Sequence, residues 1–216
     1  MKKTICVIPV KDLENSKLRL SQILNDEQRK QFSVFMLKDV INTLEKVGKI
    51  KKIIITTPLK SQIDSDNYKK VEIIQDTVPN INKAIENAIK FCKRYEIDLI
   101  LILPADIPLI KETDIEELFT SKEENNAQIL IVPSNRGDGT NCLLFDADLK
   151  IKTHFGKKSF KIHKNKFNQR FRTHVLKLFR IGLDIDYKSD LKTLNTYSKI
   201  KKRASQRYIK KICPSL

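Results

Sequence analysis

Residues 99–109 read LILILPADIPL, a run of five apolar residues followed closely by an aspartate between two prolines. Strands inside a parallel sheet are covered by helices on both faces, so they are apolar at nearly every position. We therefore predict such a strand over residues 99–103. The loop after it carries Asp106, and ligands of an open α/β sheet bind beyond the carboxyl ends of its strands. Asp106 is thus the first candidate for a functional residue.

A carboxylate at this position suits Mg²⁺, which takes oxygen ligands and keeps waters and substrate phosphates as further ligands. The alternative is that Asp106 caps the next helix. Capping falls more naturally to Thr113, which lies just ahead of the next helical pattern. We therefore predict that Asp106 binds a metal ion.

Further short apolar runs resemble the first, with helical patterns between several of them. Strands are predicted over residues 4–10, 52–57, 71–75 and 128–133, with 141–145 as a further candidate. Helices are predicted over 25–48, 80–95 and 113–119, with a last helical pattern from Ser189 onward. Asn25 and Gln28 match the spacing of a helix start. This alternation of strands and helices predicts an α/β fold with a right-handed, doubly wound sheet.

The composition indicates a folded globular protein. Of the 216 residues, 40% are hydrophobic and 31% charged, which excludes a mainly disordered chain. The length suits one domain, predicted over residues 1–195, with a basic tail over 196–216. No apolar run is long enough to span a bilayer and no signal sequence is evident, so we expect a cytoplasmic protein. The four cysteines are scattered singly, and we expect them to be buried.

Positive charge is concentrated late in the chain. The net charge is +16; residues 149–183 hold eleven Lys or Arg and no acid, and residues 191–216 hold eight and no acid. A polyanionic partner fits this asymmetry: a nucleic acid, a nucleoside triphosphate or a phosphorylated metabolite. A lysine-rich solvated face without a ligand is an equal alternative.

The loop after the first predicted strand presents Lys11, Lys17 and Arg19 without a glycine-rich phosphate-binding motif. Three cations at the carboxyl end of a strand can bind a triphosphate and balance the charge that develops on departing pyrophosphate. The alternative is that they are ordinary surface residues.

Later segments add further candidate ligands. Thr140 follows two glycines, so its hydroxyl and the nearby backbone amides can approach an anion closely. Gly156 and Ser159, among lysines, form a second candidate anion site. Asp184 and Asp186 alternate in sequence, and in a strand both would point to one face. One of the two would then complete a metal site with the aspartate of the 99–109 stretch.

His154, His163 and His174 have no Cys, Glu or His at metal-ligand spacing, so we interpret them as structural or surface residues. The sequence also contains no G-x-S-x-G, G-x-G-x-x-G or G-x-x-x-x-G-K-[ST] motif. A serine hydrolase, a dinucleotide dehydrogenase and a P-loop kinase therefore lack support.

Taken in order, these segments resemble the 2-phospho-L-lactate guanylyltransferase family, which acts in the synthesis of coenzyme F-420. The similarity extends over residues 8–191. It rests on an ordered set of short motifs: P-x-K at 9–11, SKLRL at 16–20, MLKDV at 36–40, INKAI at 81–85, LPADIPL at 103–109, GTN at 139–141, FG-x-x-SF at 155–160 and LDID at 183–186.

The resemblance implies a Rossmann-like nucleotidyltransferase fold related to the glycosyltransferase A group, with three layers and a mostly parallel sheet. It implies GMP transfer from GTP to 2-phospho-L-lactate, giving lactyl-2-diphospho-5′-guanosine and pyrophosphate. The site residues under this hypothesis are Asp106 and Asp186 for Mg²⁺, Lys11, Lys17 and Arg19 for catalytic binding of the triphosphate, Thr140, Gly156 and Ser159 for the acceptor, and Pro9, Lys11 and Asn82 for the nucleotide.

Alternative functions remain open from the sequence. Within the same fold, the acceptor can instead be phosphoenolpyruvate, 3-phospho-D-glycerate or another phosphorylated compound. A molybdenum-cofactor guanylyltransferase is one such alternative, but that group usually has a glycine-rich first loop, which this chain lacks. From a different class, the basic segments fit a nucleic-acid-binding protein on this fold, but no aromatic residues are interleaved with the lysines for base stacking. The sequence leaves a homodimer open, and we predict that the tail is dispensable for turnover.

Overall fold

The computed structural model describes residues 2–11, 13, 16–58, 63, 65–78, 80–197 and 203–214. Within these residues one seven-stranded sheet has the order β3-β2-β1-β4-β6-β5-β7. Its strands are β1 (Thr4–Pro9), β2 (Ile50–Thr57), β3 (Val71–Gln75), β4 (Leu99–Ile102), β5 (Ile129–Pro133), β6 (Thr140–Asp146) and β7 (Thr173–Val175). β6 runs antiparallel to β4 and β5, and every other pair is parallel. The prediction of a mostly parallel sheet is confirmed.

Helices cover both faces of the sheet. They are α1 (Asp26–Leu44), α2 (Ile81–Cys92), α3 (Glu112–Glu124), α4 (Ser159–Asn168), the short α5 (Phe179–Gly182), α6 (Lys188–Thr196) and α7 (Ala204–Ile212). Alternate residues of β1 point to opposite faces: Cys6 and Ile8 pack with α1 and α3, whereas Ile5 and Val7 pack with α2 and α4. The arrangement is therefore a helix, sheet, helix sandwich of three layers.

The first helix starts as its sequence predicts. The Asn25 side chain accepts a hydrogen bond from the backbone N–H of Gln28, and the Gln28 side chain accepts one from the backbone N–H of Asn25. This reciprocal pair satisfies two of the donors that a helix N-terminus leaves unpaired. The strand predictions over 71–75 and 128–133 agree with β3 and β5 to within one residue.

Two local predictions are wrong. The helix after β4 begins at Glu112 rather than at a Thr113 cap, and its start is held by Asp114, whose carboxylate accepts a hydrogen bond from the backbone N–H of Lys111. The stretch that contains Asp184 and Asp186 belongs to no strand. Its backbone instead contacts the loop after β4, where Asp106 O accepts a hydrogen bond from Ile185 N at 3.0 Å.

Besides the two apolar layers that pack on the faces of the sheet, a further apolar cluster joins α1 to the C-terminal helices. Phe32 and Met36 of α1 pack there with Leu194 of α6 and with Ile209 of α7. The part of the predicted tail that the structure describes is thus packed on the fold. Three of the four cysteines are buried as expected, whereas Cys213 is partly exposed.

No helix among the described residues is both long and apolar enough to cross a membrane.

Candidate active site

The carboxyl ends of β1 and β4 open into a cleft of about 720 Å³. Its lining includes Lys11, Lys17 and Arg19 from the loop after β1, Asp106 from the loop after β4, Asp186, and Thr140 at the start of β6. Parallel neighbouring strands end at the same edge of the sheet, so loops far apart in sequence meet there. The structure therefore brings most of the predicted site residues into one cleft.

Lys17 lies at the centre of an ion cluster. Its Nζ is 2.6 Å from Asp106 Oδ2 and 2.7 Å from Asp186 Oδ1, and its side chain is only 8% exposed. Arg19 Nη1 binds the other oxygen of Asp186 at 2.9 Å. The cations predicted for the triphosphate and the acids predicted for the metal thus contact each other directly.

The charges in this cluster shift one another's pKa values. Burial opposes the charge on Lys17, but the two carboxylates outweigh it and raise the pKa of Lys17 above its ordinary value. Burial likewise opposes the charge on Asp186, but Lys17 and then Arg19 lower its pKa below the ordinary value. Both groups are therefore held in their charged forms.

Asp184 lies beside this cluster with different partners. Its carboxylate accepts hydrogen bonds from Arg136 Nη1 at 2.9 Å and from Asn141 Nδ2 at 3.2 Å. Burial, followed by the charge of Asp106, raises the pKa of Asp184. Arg136 also binds Asp190. No sequence motif marks Arg136 as the partner of these two aspartates, because they lie 48 and 54 positions later in the chain.

The arrangement suits a divalent cation. Asp106 Oδ1 is buried and has no hydrogen-bond partner, while its other oxygen is bound by Lys17. A buried carboxylate oxygen without a partner is costly, and a cation removes that cost. Among the described residues no group of three or more acidic, His or Cys side chains is arranged to hold a metal. The residues therefore fit a site with few protein ligands, to which water and phosphate oxygens add the rest.

Thr140 lines the same cleft and contacts Ser159, which is buried. The Thr140 backbone N–H donates to Ser159 Oγ at 2.9 Å, and Thr140 Oγ1 lies 2.9 Å from His163 Nδ1. Gly156, three residues before Ser159, has a φ of 129°, which side-chain-bearing residues rarely adopt. Ser159 begins α4, whose N-terminus has no side-chain cap. The predicted acceptor residues are thus adjacent in space.

Asn82 holds the loop that carries Gly156. Its Oδ1 accepts a hydrogen bond from Phe155 N at 2.6 Å, and its Nδ2 donates to Phe155 O at 3.0 Å. The side-chain amide therefore pairs with the loop as a neighbouring strand would. The part predicted for Asn82 in nucleotide binding stays a prediction.

A smaller pocket of about 330 Å³ adjoins the cleft, and Pro9 and Lys11 line both. Thr56, at the end of β2, also lines the smaller pocket, and its buried hydroxyl has no hydrogen-bond partner. Asp76 lies across from it, with its carboxylate bound by Val78 N and Asn87 Nδ2.

His163 is completely buried, as the structural interpretation of the histidines allowed. Its ring stacks on Phe167 with centroids 5.3 Å apart and meets Phe155 edge-on. Burial, aided by the nearby His154 and Lys166, lowers the pKa of His163 to about 4. The imidazole is therefore neutral at neutral pH.

This depressed pKa predicts a loss of stability in acid. The unfolded histidine binds a proton near its ordinary pKa of 6.5, whereas the folded one does so only near 4. The free energy of unfolding should therefore fall by roughly 3 kcal/mol as the pH falls from 6.5 to 4. Urea unfolding across this range checks the prediction against His163→Phe, which keeps a ring on Phe167 but cannot titrate. The same pH dependence in both proteins would contradict it.

Comparisons with known proteins find relatives over most of the chain. A family model described as guanylyl transferase CofC-like matches residues 4–215. The 2-phospho-L-lactate guanylyltransferase of Methanocaldococcus jannaschii is 34% identical over 187 residues, which cover 86% of this chain and 79% of the relative. The protein of the same name from Methanobrevibacter smithii is 31% identical over 211 residues, covering 95% and 89%.

Solved structures share the fold at low sequence identity. A protein described as a nucleotide-diphospho-sugar transferase from Desulfovibrio desulfuricans G20 superposes with a TM-score of 0.77 at 15% identity, covering 98% of this chain and 95% of that one. A 4-diphosphocytidyl-2C-methyl-D-erythritol synthase superposes with a TM-score of 0.61 at 13% identity, covering 91% and 98%. The relatives, the fold and the cleft together define a nucleotidyltransferase.

The family match makes the assignment more specific, since it spans nearly the whole chain. This chain belongs to the guanylyl transferase CofC-like family. The fold class, the enzyme class and the family predicted from the motifs are thereby confirmed. The predicted extent of the similarity, residues 8–191, is too short, because the family model reaches residue 215 and includes α7.

Proposed function

We propose that this enzyme transfers GMP from GTP to 2-phospho-L-lactate, giving lactyl-2-diphospho-5′-guanosine and pyrophosphate in the synthesis of coenzyme F-420. The observation that carries the proposal is a single cleft with two unlike walls. One wall presents acids and cations around Lys17, and the other includes Thr140, whose backbone N–H donates to the buried Ser159 Oγ. The names of the relatives support the same reaction. We place it in the cytoplasm, where GTP is available.

The reaction needs no general base. A phosphate oxygen of the acceptor attacks the α-phosphorus of GTP; a new P–O bond forms as the bond to pyrophosphate breaks. The attacking oxygen carries negative charge at neutral pH, so no proton has to be removed. What the protein must supply is alignment of two anions and neutralisation of their charge. This need agrees with the described lining of the cleft, which includes cations and the Thr140 side chain and no histidine.

We propose that Asp106 and Asp186 hold Mg²⁺. When bound, the metal would polarise phosphoryl oxygens and offset charge on the departing pyrophosphate. Lys17 neutralises the same two carboxylates in the described structure, at 2.6 and 2.7 Å. Its ammonium is therefore placed to pass from the acids to a phosphate when the acids gain another cation. Lys11 and Arg19 flank it along the cleft and serve the remaining phosphates.

We place the guanosine in the smaller pocket beside Lys11. A volume of about 330 Å³ suits a nucleobase. The unpartnered Thr56 hydroxyl supplies a polar contact at its base. Asn82 supports this end of the site from α2, although its amide is already paired with Phe155.

We place the acceptor between Thr140 and the N-terminus of α4. The first-turn amides of α4 lack a side-chain cap, and no acidic residue lies in that turn. Such a terminus favours an anion through its dipole, while the N–H groups of Ser159 and Phe160 already donate to Gly156 O and Asp138 O. Gly156 leaves open space where a side chain would stand, so the phosphate or carboxylate can approach the backbone there.

Pyrophosphate release tests the proposal. Purified protein with GTP and Mg²⁺ should release pyrophosphate with 2-phospho-L-lactate and much more slowly with phosphoenolpyruvate or 3-phospho-D-glycerate. ATP in place of GTP is the control for the nucleotide. Faster release with either of the other acids would reassign the acceptor, and no release with any acid from folded protein would overturn the proposal.

A further inference from the structure

His163 has two hydrogen-bond partners of unlike kinds. The backbone N–H of His154 points at His163 Nε2 at 2.7 Å, and the hydroxyl of Thr140 lies 2.9 Å from His163 Nδ1. A backbone N–H can only donate, so Nε2 accepts and carries no proton. In a neutral imidazole the proton then sits on Nδ1. Both ring nitrogens are engaged, so the pair of contacts also selects this orientation of the ring over its flipped form.

The tautomer determines what the Thr140 hydroxyl can do. Because Nδ1–H donates, Thr140 Oγ1 accepts, and its own proton remains for a third group. Thr140 lines the cleft, so a ligand bound there is the third group that this proton can reach. Ser159 is arranged alike, since its Oγ accepts the Thr140 backbone N–H and keeps its own proton. Each of the two hydroxyls thus accepts one hydrogen bond and retains its own proton, and Thr140 is the one that lines the cleft.

We propose that His163 is a positioning residue that makes Thr140 a hydrogen-bond donor toward the ligand, so that the cleft selects an acceptor bearing deprotonated oxygens. The inference rests on the proposed function for the identity of that acceptor. A ligand group that can only donate, such as an ammonium in place of the phosphate, would face a donor and bind poorly. His163 touches neither the cleft nor the ligand; it acts through Thr140.

The surroundings hold the ring in this role. His163 is 0% exposed, and its ring packs between two aromatic neighbours, face to face with Phe167 and edge-on to Phe155. The nearby charged group is cationic: Lys166 donates to His154 Nε2 at 3.0 Å. A neutral ring is what the arrangement needs, because a protonated Nε2 would oppose the His154 N–H. These contacts fix the ring independently of any ligand.

The tautomer is measured directly by nitrogen-15 NMR of the histidine side chains in the wild-type protein at pH 7. We expect one buried imidazole with a protonated Nδ1 and an unprotonated Nε2, the less common tautomer of free histidine. A protonated Nε2 in His163 would overturn the proposal. This measurement needs no substrate, so it stands whether or not 2-phospho-L-lactate is the acceptor.

The consequence for binding is tested by steady-state kinetics of variants. His163→Phe keeps a ring on Phe167 but cannot donate to Thr140, and we expect its KM for 2-phospho-L-lactate to rise about tenfold while its KM for GTP is unchanged. His163→Asn restores a donor near the Nδ1 position and should recover most of the loss. In a Thr140→Val background, His163→Phe should have no further effect on the acceptor KM.

These experiments distinguish a failure of the proposed function from a failure of the role inferred for His163. If wild-type protein releases no pyrophosphate with this acceptor, the proposed function fails and the NMR result decides the inference alone. If wild-type protein turns over and His163→Phe is folded with an unchanged acceptor KM, the positioning role is refuted. An equal rise in the KM values for GTP and acceptor would indicate a merely structural role and would also refute it.

Discussion

Replacing Asp106 by Asn should lower kcat by about a thousandfold while leaving the fold intact. The change removes one negative charge from the acid wall of the cleft, where Asp106 has one oxygen on Lys17 and one without a partner. A neutral amide is a poor ligand for Mg²⁺, so the several kcal/mol that a bound metal contributes to the transition state are lost. At about 1.4 kcal/mol per factor of ten, this is of the order of three powers of ten.

The measurement is pyrophosphate release at saturating GTP and acceptor over a range of Mg²⁺ concentrations. Asp148→Asn is the matched control, because it makes the same chemical change at an exposed carboxylate after β6. Circular dichroism and urea unfolding establish that both variants are folded at the assay temperature. A near-normal kcat for Asp106→Asn at ordinary Mg²⁺ concentrations would show that Asp106 does not hold the metal.

The sheet was largely predictable because its strands lie between two layers of helices. Leu99–Ile102 is buried on both faces, so the sequence shows an unbroken apolar run that few other structures require. Because β6 is also buried, its direction could not be predicted from its sequence. A buried strand has the same composition in either direction, and only its pairing, Ile100 opposite Phe145, shows that it runs antiparallel.

The candidate site was predictable where one residue stood out at the end of a strand. Asp106 did so because an acid closes an apolar run. Its pairing with Lys17 was not predictable, since the two residues are 89 positions apart and either could have faced solvent. Position along the chain indicated that these residues share an edge of the sheet, but only the fold determines which cation meets which acid.

His163 shows a different kind of omission. Its partners are a backbone N–H and a hydroxyl, and neither has a spacing that marks a motif. A lone histidine in a basic segment is usually structural, and that interpretation describes its burial correctly. The sequence analysis identified Thr140 for its own hydroxyl. It did not identify His163 as the residue that orients the proton of that hydroxyl, because the two residues are 23 positions apart.

Ile209→Ala in α7 should lower the free energy of unfolding by about 2 to 5 kcal/mol. Ile209 is completely buried against α1 and α6, and truncating such a side chain loses burial and leaves a cavity. The start of α7 is also fixed, since the Asp39 carboxylate accepts hydrogen bonds from Ala204 N at 2.8 Å and from Ser205 N at 2.9 Å. Urea unfolding of the variant and the wild type at pH 7 measures the difference.

Lys210→Ala is the control, because it alters the next residue of the same helix at an exposed position and should change stability by less than about 0.5 kcal/mol.

The same pair of variants tests whether the packing of α7 matters for turnover. None of the residues of α7 lines the cleft, so Ile209→Ala should keep its kcat when assayed well below its unfolding temperature. Activity lost from folded protein would instead connect α7 to turnover. Unchanged stability would mean that the cluster of Phe32, Met36 and Leu194 holds without α7, and the predicted tail would then be an appendage rather than part of the core.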